Sequence, residues 1–198
     1  MEVVLIKYNA GNIQSVLYAL DRIGVSATVT DDHEQIRAAD RVLFPGVGEA
    51  RSAMESLQEK NLDQLIKELK QPVLGICVGM QLLCEHSEER DTQGLGVFDT
   101  RVKRFPEMTA VKVPQIGWNT IHHLQSPLFT GLPENSYIYY VHSYYAALSN
   151  QTIAQSDYGL AYSAALQKDN FYGVQFHAEK SAAAGERILR NFIELKQG

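Results

Sequence analysis

Short apolar runs alternate with longer amphipathic segments through the first half of the chain. Val3–Tyr8 is the first such run and predicts a buried strand. Apolar residues spaced three or four apart after it predict a helix that Asn12 caps and Gly24 ends. Because parallel strands are joined by crossover helices, this alternation predicts a parallel sheet covered by helices. The pattern predicts further strands at residues 27–30 and 41–44 and a helix over about residues 49–69.

From about residue 97 the pattern changes to shorter strands that Gly, Pro and Asn residues interrupt. Asp169-Asn170 suits a tight hairpin turn between the last two of these strands. Because there is no repeat, low-complexity tract or linker, we expect one domain over residues 1–198. Its fold should be α/β, with an open, mostly parallel central sheet and an added antiparallel second half. The pattern predicts strands at residues 137–141, 161–166 and 171–176, and a final helix with Ile188, Leu189, Phe192 and Ile193 on one face.

Composition narrows the class of protein. With 45% hydrophobic and 21% charged residues, the 198-residue chain has the balance of a globular domain with a sizeable core. The net charge of -5 argues against a nucleic-acid partner, and no apolar run approaches the roughly 20 residues of a membrane span. The two cysteines, Cys77 and Cys84, share one predicted helix and are too far apart for a disulfide. We therefore expect a cytoplasmic protein, with Cys84 serving only in core packing.

The strongest chemical signal lies in residues 72–83. A short apolar run ends in Gly75-Ile76-Cys77-Val78-Gly79, and a helix-forming segment follows at once. This is the layout of a nucleophile elbow, with cysteine in the place of serine. The glycines permit the close backbone approach of a sharp turn, and the following helix N-terminus favours a thiolate. The segment favours a nucleophilic Cys77 over a buried structural cysteine, which is the alternative.

A candidate base lies near the end of the chain. His177-Ala178-Glu179 follows a predicted strand, and in extended backbone residues two apart project to the same side. We therefore expect Glu179 to bond one imidazole nitrogen of His177 and to leave the other for the thiol of Cys77. An isolated histidine at a strand end is more often a partly exposed polar residue. A His-x-Glu pair together with a cysteine elbow favours catalysis.

The loop Pro45-Gly46-Val47-Gly48 follows the predicted third strand. In open parallel sheets ligands bind beyond the carboxyl ends of the strands, so this loop, Cys77 and His177 should meet at one edge. An acyl-transfer site also needs donors for the oxyanion, and the backbone amides of Val47 and Val78 are the candidates. As a lone motif, the loop is more typical of an ordinary turn, but its position after a strand that should neighbour the elbow strand makes the two interpretations equal.

These three motifs together resemble the class I, or triad, glutamine amidotransferases, which have a flavodoxin-like fold. The resemblance spans nearly the whole chain, and further segments narrow it to the branch whose glutaminase serves a (β/α)8-barrel synthase. Two departures stand out: Ala178 replaces a proline that is usual in the family, and Lys7-Tyr8-Asn9 replaces the usual Asp-Tyr-Gly. The narrowing segments are residues 8–16, 113–119 (VPQIGWN), 140–145 (YVHSYY) and 173–181 (GVQFHAEKS).

The resemblance implies a reaction on L-glutamine. Cys77 would attack the carboxamide carbon, His177 would protonate the departing ammonia, and water would hydrolyse the thioester to glutamate. Glu179 would orient His177, and neither a cofactor nor a metal is implied. By the same analogy the glutamine contacts are Gly48, Gln81, Glu89, Ser143 and Tyr144, of which Glu89 lies in a segment that also suits a solvated charged loop.

The resemblance also implies a partner, because free ammonia is mostly protonated near neutral pH and is then no longer nucleophilic. In this branch the glutaminase forms a heterodimer with a (β/α)8-barrel cyclase subunit, which receives the ammonia through the barrel. The resemblance implies Asn12 and Lys180 as interface residues. Trp118, the only tryptophan, lies in a Pro/Gly-rich segment that suits an interface anchor, and without the resemblance a core position is an equal alternative for it. Two other classes remain open: a stand-alone cysteine hydrolase or peptidase, and a binding module whose site has lost activity.

Overall fold

The computed structural model describes residues 1–9, 12–107 and 111–196 of the chain. Its first half alternates strands and helices, as the apolar pattern predicts. In chain order these elements are β1 (Val3–Ile6), α1 (Ile13–Arg22), β2 (Thr28–Thr30), α2 (His33–Ala38), β3 (Arg41–Gly46), α3 (Ala50–Glu59), α4 (Leu62–Glu68), β4 (Val73–Cys77) and α5 (Val78–Leu83).

The second half consists mainly of strands and ends in the longest helix of the described chain. Two short 3-10 helices lie at Pro127–Phe129 and Ala178–Lys180. In chain order the other elements are β5 (Cys84–Ser87), β6 (Thr92–Gln93), β7 (Phe98–Arg104), β8 (Gln115–Ile121), β9 (Ser136–His142), β10 (Tyr144–Ala146), β11 (Thr152–Asp157), β12 (Ala161–Lys168), β13 (Phe171–Val174) and α6 (Ala182–Glu194).

The strands form an 11-stranded sheet and a separate two-stranded ribbon. In the sheet, β2, β1, β3, β4 and β13 lie side by side in that order, and all of them run parallel. β12 pairs antiparallel with β13 and leads into the second part of the sheet, in the order β12-β10-β7-β5-β6, with β11 also on β12. The ribbon joins β8 and β9. The predicted fold class, a parallel central sheet with an antiparallel second half, is confirmed.

The core lies on both faces of the parallel strands. β1, β3 and β4 are buried along their whole length, as expected for parallel strands that helices cover on either side. The predicted turn at Asp169-Asn170 joins β12 to β13. α6 packs with its apolar face inward, as predicted; the residues that it buries there include Ile188, Leu189, Phe192 and Ile193.

Two helix predictions need correction. The helix expected over residues 49–69 is two helices, because Lys60 ends α3 and Asn61 takes a left-handed conformation, with φ 53°, before α4. The short helix α2 was not predicted, since its six residues are too few to show a helical period. Asp32 caps it by accepting a hydrogen bond from the main-chain N–H of Gln35 at 2.8 Å.

The segments around Cys84 and Asn12 also differ from the prediction. α5 ends at Leu83, so Cys84 does not share a helix with Cys77 but begins β5. Burial raises the pKa of the Cys84 thiol far above its usual range, which fits the core role predicted for it. Asn12 precedes α1 but does not cap it, because its side chain donates to Glu179 instead.

Candidate active site

Cys77 is the last residue of β4 and stands directly before α5. Its backbone has φ 54° and ψ -112°, a conformation that residues other than glycine rarely adopt and that costs about 1–3 kcal/mol. The neighbouring glycines let the chain pass closely. A Cβ on Gly79 would lie 1.8 Å from the carbonyl oxygen of Phe44, and one on Gly75 would lie 2.9 Å from the carbonyl carbon of Gly79. The predicted strand–turn–helix elbow is present, with a strained cysteine at its tip.

His177 reaches the same edge of the sheet from the neighbouring strand. β13 runs parallel to β4 and pairs Val174 with Ile76, so the residues that follow the two strands meet. The main-chain N–H of His177 donates to the carbonyl oxygen of Tyr139 at 2.9 Å, and its side chain lines the same cavity as Cys77, close enough for their charges to interact. The register of two parallel strands therefore produces the predicted contact.

Glu179 binds the other side of the imidazole. Nδ1 of His177 lies 2.7 Å from Oε1 of Glu179, and both side chains are buried. The backbone conformation that brings Glu179 to His177 differs from the prediction, because Glu179 lies in the 3-10 helix at Ala178–Lys180 and not in an extended segment. Because Nδ1 is bound to Glu179, Nε2 remains for Cys77. The three side chains therefore lie in the order nucleophile, base and orienting carboxylate.

The contacts of His177 favour its charged form. Burial alone would lower the pKa of His177, but hydrogen bonds to Cys77 and Glu179 and the attraction of their charges outweigh burial and raise that pKa to about 10. At neutral pH the imidazole is therefore protonated between two acidic groups. An imidazolium beside a cysteine is the arrangement that activates the sulfur as a nucleophile.

Asn12, which we expected at a partner interface, lies beside Glu179. Its side-chain amide donates to Oε1, the same carboxylate oxygen that His177 contacts. Oε2 of Glu179 is buried and has no hydrogen-bond partner among the described residues. Lys180 is exposed and lines the cavity over the site. The partner role of Asn12 and Lys180 stays a prediction.

A cavity of about 350 Å³ opens over Cys77 and His177. Its size falls in the range of small-molecule sites. Glu179 lies behind His177, and Asn12 and Trp118 are not part of the lining. Nine of the lining residues were expected at the site, namely Cys77, His177, Val47, Gly48, Val78, Gln81, Glu89, Ser143 and Tyr144. Lys180, which was expected at a partner interface, and Pro114, Val141 and His142 complete the set.

The loop after β3 lies beside the nucleophile. Gly46 ends β3 and pairs with Cys77 across the sheet, so Val47 and Gly48 follow directly next to the elbow. Gly48 has φ 101°, which glycine adopts without the strain that a side chain would add. The position of this loop is as predicted. The oxyanion role of the Val47 and Val78 amides stays a prediction.

Glu89 is half-buried at the cavity and is not part of a fully solvated loop. Its Oε2 accepts a hydrogen bond from the main-chain N–H of Ala50 at 2.8 Å. Burial raises the pKa of its carboxyl group, and the nearby charge of Glu49 adds to the rise. The glutamine contact expected of Glu89 stays a prediction.

Gln175 is a buried residue of the site that the motifs did not single out. Its Nε2 lies 3.7 Å from Sγ of Cys77, and its Oε1 accepts a hydrogen bond from Gln81 at 2.9 Å. Gln175 follows Val174 and precedes Phe176, both fully buried. A polar residue between two apolar ones directly after a buried strand needs a hydrogen-bond partner, and this signal could have identified it.

His142 is a second buried residue that the sequence analysis missed. Its Nδ1 lies 2.7 Å from the carbonyl oxygen of Tyr144, and its Nε2 lies 3.0 Å from Oε1 of Gln115. Burial lowers the pKa of His142 to about 4, so the ring is neutral at neutral pH. Nδ1 then donates to Tyr144, and this bond fixes the main chain at one wall of the cavity.

The ribbon of β8 and β9 presents an exposed apolar face. Trp118 is 54% exposed, so it is not the core tryptophan that was the alternative to an interface residue. Directly paired residues share a face of the ribbon, and the ring of Trp118 lies edge-on to that of Tyr139 with centroids 5.8 Å apart. We call this surface the ribbon face; it consists of Ile116, Trp118, Tyr137, Tyr139 and Val141.

The described ranges lack two features. No group of three or more His, Cys, Asp or Glu side chains there could hold a metal ion. No helix within the same ranges is long and apolar enough to cross a membrane.

Comparison with known proteins identifies the class to which this site belongs. The model of the family "Glutamine amidotransferase class-I" matches residues 4–195, a region that contains every residue of the cavity and all of the sheet except Val3. The chain therefore belongs to the class I glutamine amidotransferases.

Relatives narrow this class further. The chain is 59% identical to imidazole glycerol phosphate synthase subunit HisH of Bacteroides fragilis, over 98% of this chain and 100% of that protein. It is 55% identical to the subunit of the same name from Bacteroides thetaiotaomicron, with the same coverage of 98% and 100%. The identity to the Haemophilus influenzae subunit is 43%, over 98% of each chain. Within its class the chain is a member of the HisH group.

Solved structures share the fold at much lower identity. A crystal structure of a glutamine amidotransferase has a TM-score of 0.74 at 18% identity and covers 98% of both chains. A glutamine amidotransferase of Thermotoga maritima has a TM-score of 0.64 at 18% identity, over 98% of this chain and 83% of that one. At such identity the likeness shows the common fold alone.

Proposed function

We propose that this chain is the glutaminase subunit of an imidazole glycerol phosphate synthase and that it hydrolyses L-glutamine through a thioester on Cys77. The observation that carries the proposal is the buried contact of Cys77 with His177, whose Nδ1 lies 2.7 Å from Glu179. The family description supports glutamine as the amide donor, and the names of the relatives support the synthase.

In the first half of the reaction the thiolate of Cys77 attacks the carboxamide carbon of glutamine. The carbonyl oxygen of the tetrahedral intermediate carries the negative charge, and the main-chain amides of Val47 and Val78 stabilise it. His177 is protonated at neutral pH and gives its Nε2 proton to the nitrogen as the C–N bond breaks. Ammonia leaves, and a glutamyl thioester and a neutral imidazole remain.

The second half of the reaction consumes water. Neutral His177 takes a proton from a water molecule, and the resulting hydroxide attacks the thioester carbonyl carbon. The C–S bond breaks, glutamate leaves, and Cys77 and His177 return to their charged forms. Glu179 keeps Nδ1 occupied throughout, so each proton passes through Nε2. Glutamine and water give ammonia and glutamic acid, whose side chain releases its proton to solvent as glutamate, so the atoms balance.

The cavity supports a binding mode for glutamine. Glu89 attracts the ammonium group of the substrate, and the main chain around Gly48, Ser143 and Tyr144 binds its carboxylate. Gln81 completes the contacts from α5. All five residues line the cavity of about 350 Å³ over the elbow, which supports this assignment.

We infer a heterodimer with a HisF-type (β/α)8 cyclase subunit. The ribbon face is an exposed apolar surface with an aromatic anchor, Trp118, and one of its residues, Val141, also lines the cavity. Asn12 and Lys180 extend this contact near the triad. Ammonia then passes from the cavity into the barrel without meeting bulk water. There it completes the synthesis of imidazole glycerol phosphate and aminoimidazole carboxamide ribotide in histidine biosynthesis, in a cytoplasm that keeps the thiols reduced.

An electrophilic glutamine analogue tests the site. We expect mass spectrometry to find the label on Cys77 alone and none in Cys77→Ala. Cys84→Ala is the matched control and should be labelled like the wild type, because Cys84 is buried outside the cavity lining. No labelling with or without a cyclase partner would favour a binding module. Full hydrolysis of glutamine or a peptide without a partner would favour a stand-alone hydrolase.

The partner and its effect need separate measurements. We expect the Val47 amide to turn toward the oxyanion only when the cyclase subunit and its ligand are bound. Glutamate release should therefore rise when both are present. Equal rates with and without them would refute this gating. Trp118→Ala should weaken the complex by about 2 kcal/mol or more in titration calorimetry. Leu148→Ala removes an exposed apolar side chain outside the ribbon face and should leave the affinity unchanged.

A further inference from the structure

Gln175 lies between Gln81 and the nucleophile and has no part in the steps proposed for the reaction. Its side chain is fully buried, and its main-chain N–H donates to the carbonyl oxygen of Ala164 at 2.9 Å. Its Nε2 lies 3.7 Å from Sγ of Cys77, and its Oε1 lies 2.9 Å from Nε2 of Gln81. Both ends of the amide therefore have a buried partner, and one of these partners is the reacting atom.

The neighbouring contacts fix which end of the Gln175 amide faces the sulfur. Nε2 of Gln81 lies 3.0 Å from the carbonyl oxygen of Tyr144, and a carbonyl oxygen can only accept. The nitrogen of Gln81 must therefore face Tyr144, and its second hydrogen points at Gln175. Gln175 accepts that hydrogen with its oxygen, which leaves its own NH2 group facing Cys77. The reverse orientation would bring two amide nitrogens together.

We propose that Gln175 is a further catalytic residue, whose side-chain amide donates to the thiolate of Cys77 and keeps it available as the nucleophile. The proposal rests on the glutaminase site proposed for this chain and adds one residue to it. A hydrogen bond stabilises an anionic sulfur more than a thiol, because a thiol is a weak acceptor.

The amide of Gln175 differs from His177 in one respect that matters for the reaction. His177 gives up its proton when ammonia leaves and is then no longer charged. The side-chain amide of Gln175 does not give up a proton, so it donates its hydrogen bond throughout the reaction. It therefore stabilises the sulfur twice, when the thiolate attacks glutamine and when water expels it from the thioester. No other co-reactant is needed for this role.

Substitutions at Gln175 separate a donor from a packing residue. Gln175→Met keeps an unbranched side chain of similar length and removes the donor. We expect alkylation of Cys77 by iodoacetamide at neutral pH to slow roughly ten- to a hundredfold, the usual effect of losing a hydrogen bond to a charged group. Gln175→Glu keeps the shape but adds a negative charge beside the sulfur, so alkylation should be slower still. Gln167→Met, on β12 and outside the cavity lining, is the matched control and should react like the wild type.

The order of the rates decides between the two roles. The proposal is supported if the wild type is alkylated faster than Gln175→Met and if Gln175→Met is alkylated faster than Gln175→Glu. Both variants should also show less thiolate absorbance in the ultraviolet. A Gln175→Glu protein that reacts faster than Gln175→Met, or a folded Gln175 variant that reacts like the wild type, overturns it. Because alkylation needs no glutamine turnover, failure of the role proposed for Gln175 differs from failure of the glutaminase site. A wild-type Cys77 that iodoacetamide does not modify would overturn the glutaminase site itself.

Discussion

The buried imidazole of His142 should make this fold lose stability in mild acid. Burial lowers the pKa of His142 from 6.5 to about 4, and the hydrogen bond to Tyr144 offsets only part of that effect. The charge of His177 lowers the pKa slightly further, and the rings of Phe105, Tyr140 and Tyr162 surround the imidazole. Between pH 6.5 and about 4 the unfolded chain therefore binds a proton at this position that the folded chain does not bind.

The sign and size of the effect follow from that difference. Where the unfolded state binds more protons, the free energy of unfolding falls as the pH falls. The stabilisation is complete above pH 6.5, decreases below it, and levels off once the folded state also takes up the proton near pH 4. Each unit of difference between the two pKa values corresponds to about 1.4 kcal/mol, so the full loss is about 3 kcal/mol.

His142→Asn tests this reasoning, because asparagine does not titrate and retains a side-chain nitrogen that can donate to Tyr144. Urea denaturation of wild type and variant at a series of pH values would give both free energies of unfolding. Above neutral pH their difference should be constant and should report the lost packing of the imidazole ring. Between pH 6.5 and 4 it should shift in favour of the variant by about 3 kcal/mol. Parallel curves over this range would refute a neutral buried His142.

Two further substitutions, each with a control substitution, test contacts that stabilise the fold around the site. The buried guanidinium of Arg41 donates to main-chain carbonyls at the end of α6, so Arg41→Met should lower the free energy of unfolding in urea by about 2–4 kcal/mol. Arg37→Met, which breaks only exposed ion pairs, should cost less than about 1 kcal/mol, and equal losses would contradict the capping role. Gly79→Ala should abolish the native circular dichroism spectrum, because its Cβ has no room beside Phe44. Gly24→Ala, with open space and φ 77°, should lose only about 1–3 kcal/mol, and a native Gly79→Ala protein would show that the elbow can relax.

The sequence predicted the residues of the site more accurately than the elements between them. Cys77 and the loop at Val47 follow buried parallel strands, and in such a sheet the carboxyl ends of neighbouring strands meet whatever the intervening helices do. The break of the predicted helix at Asn61 therefore changes nothing at the site. Glu179 shows the opposite case: strand alternation predicts its contact with His177, but a 3-10 helix makes that contact.

What the sequence could not predict shares one physical cause. Arg41, His142 and Gln175 are polar residues in or beside buried strands, and a buried polar group requires a partner. Local pattern indicates that requirement but not the partner, which for Arg41 lies 151 positions away on α6 and for Gln175 lies 98 positions away at Cys77. Burial also does not separate function from structure. Arg41 contacts main-chain carbonyls at a helix end and can only stabilise them, whereas Gln175 contacts a sulfur whose charge changes during the reaction. The chemical nature of the partner therefore decides which buried polar residue takes part in catalysis, and it assigns that role to Gln175 alone of these three.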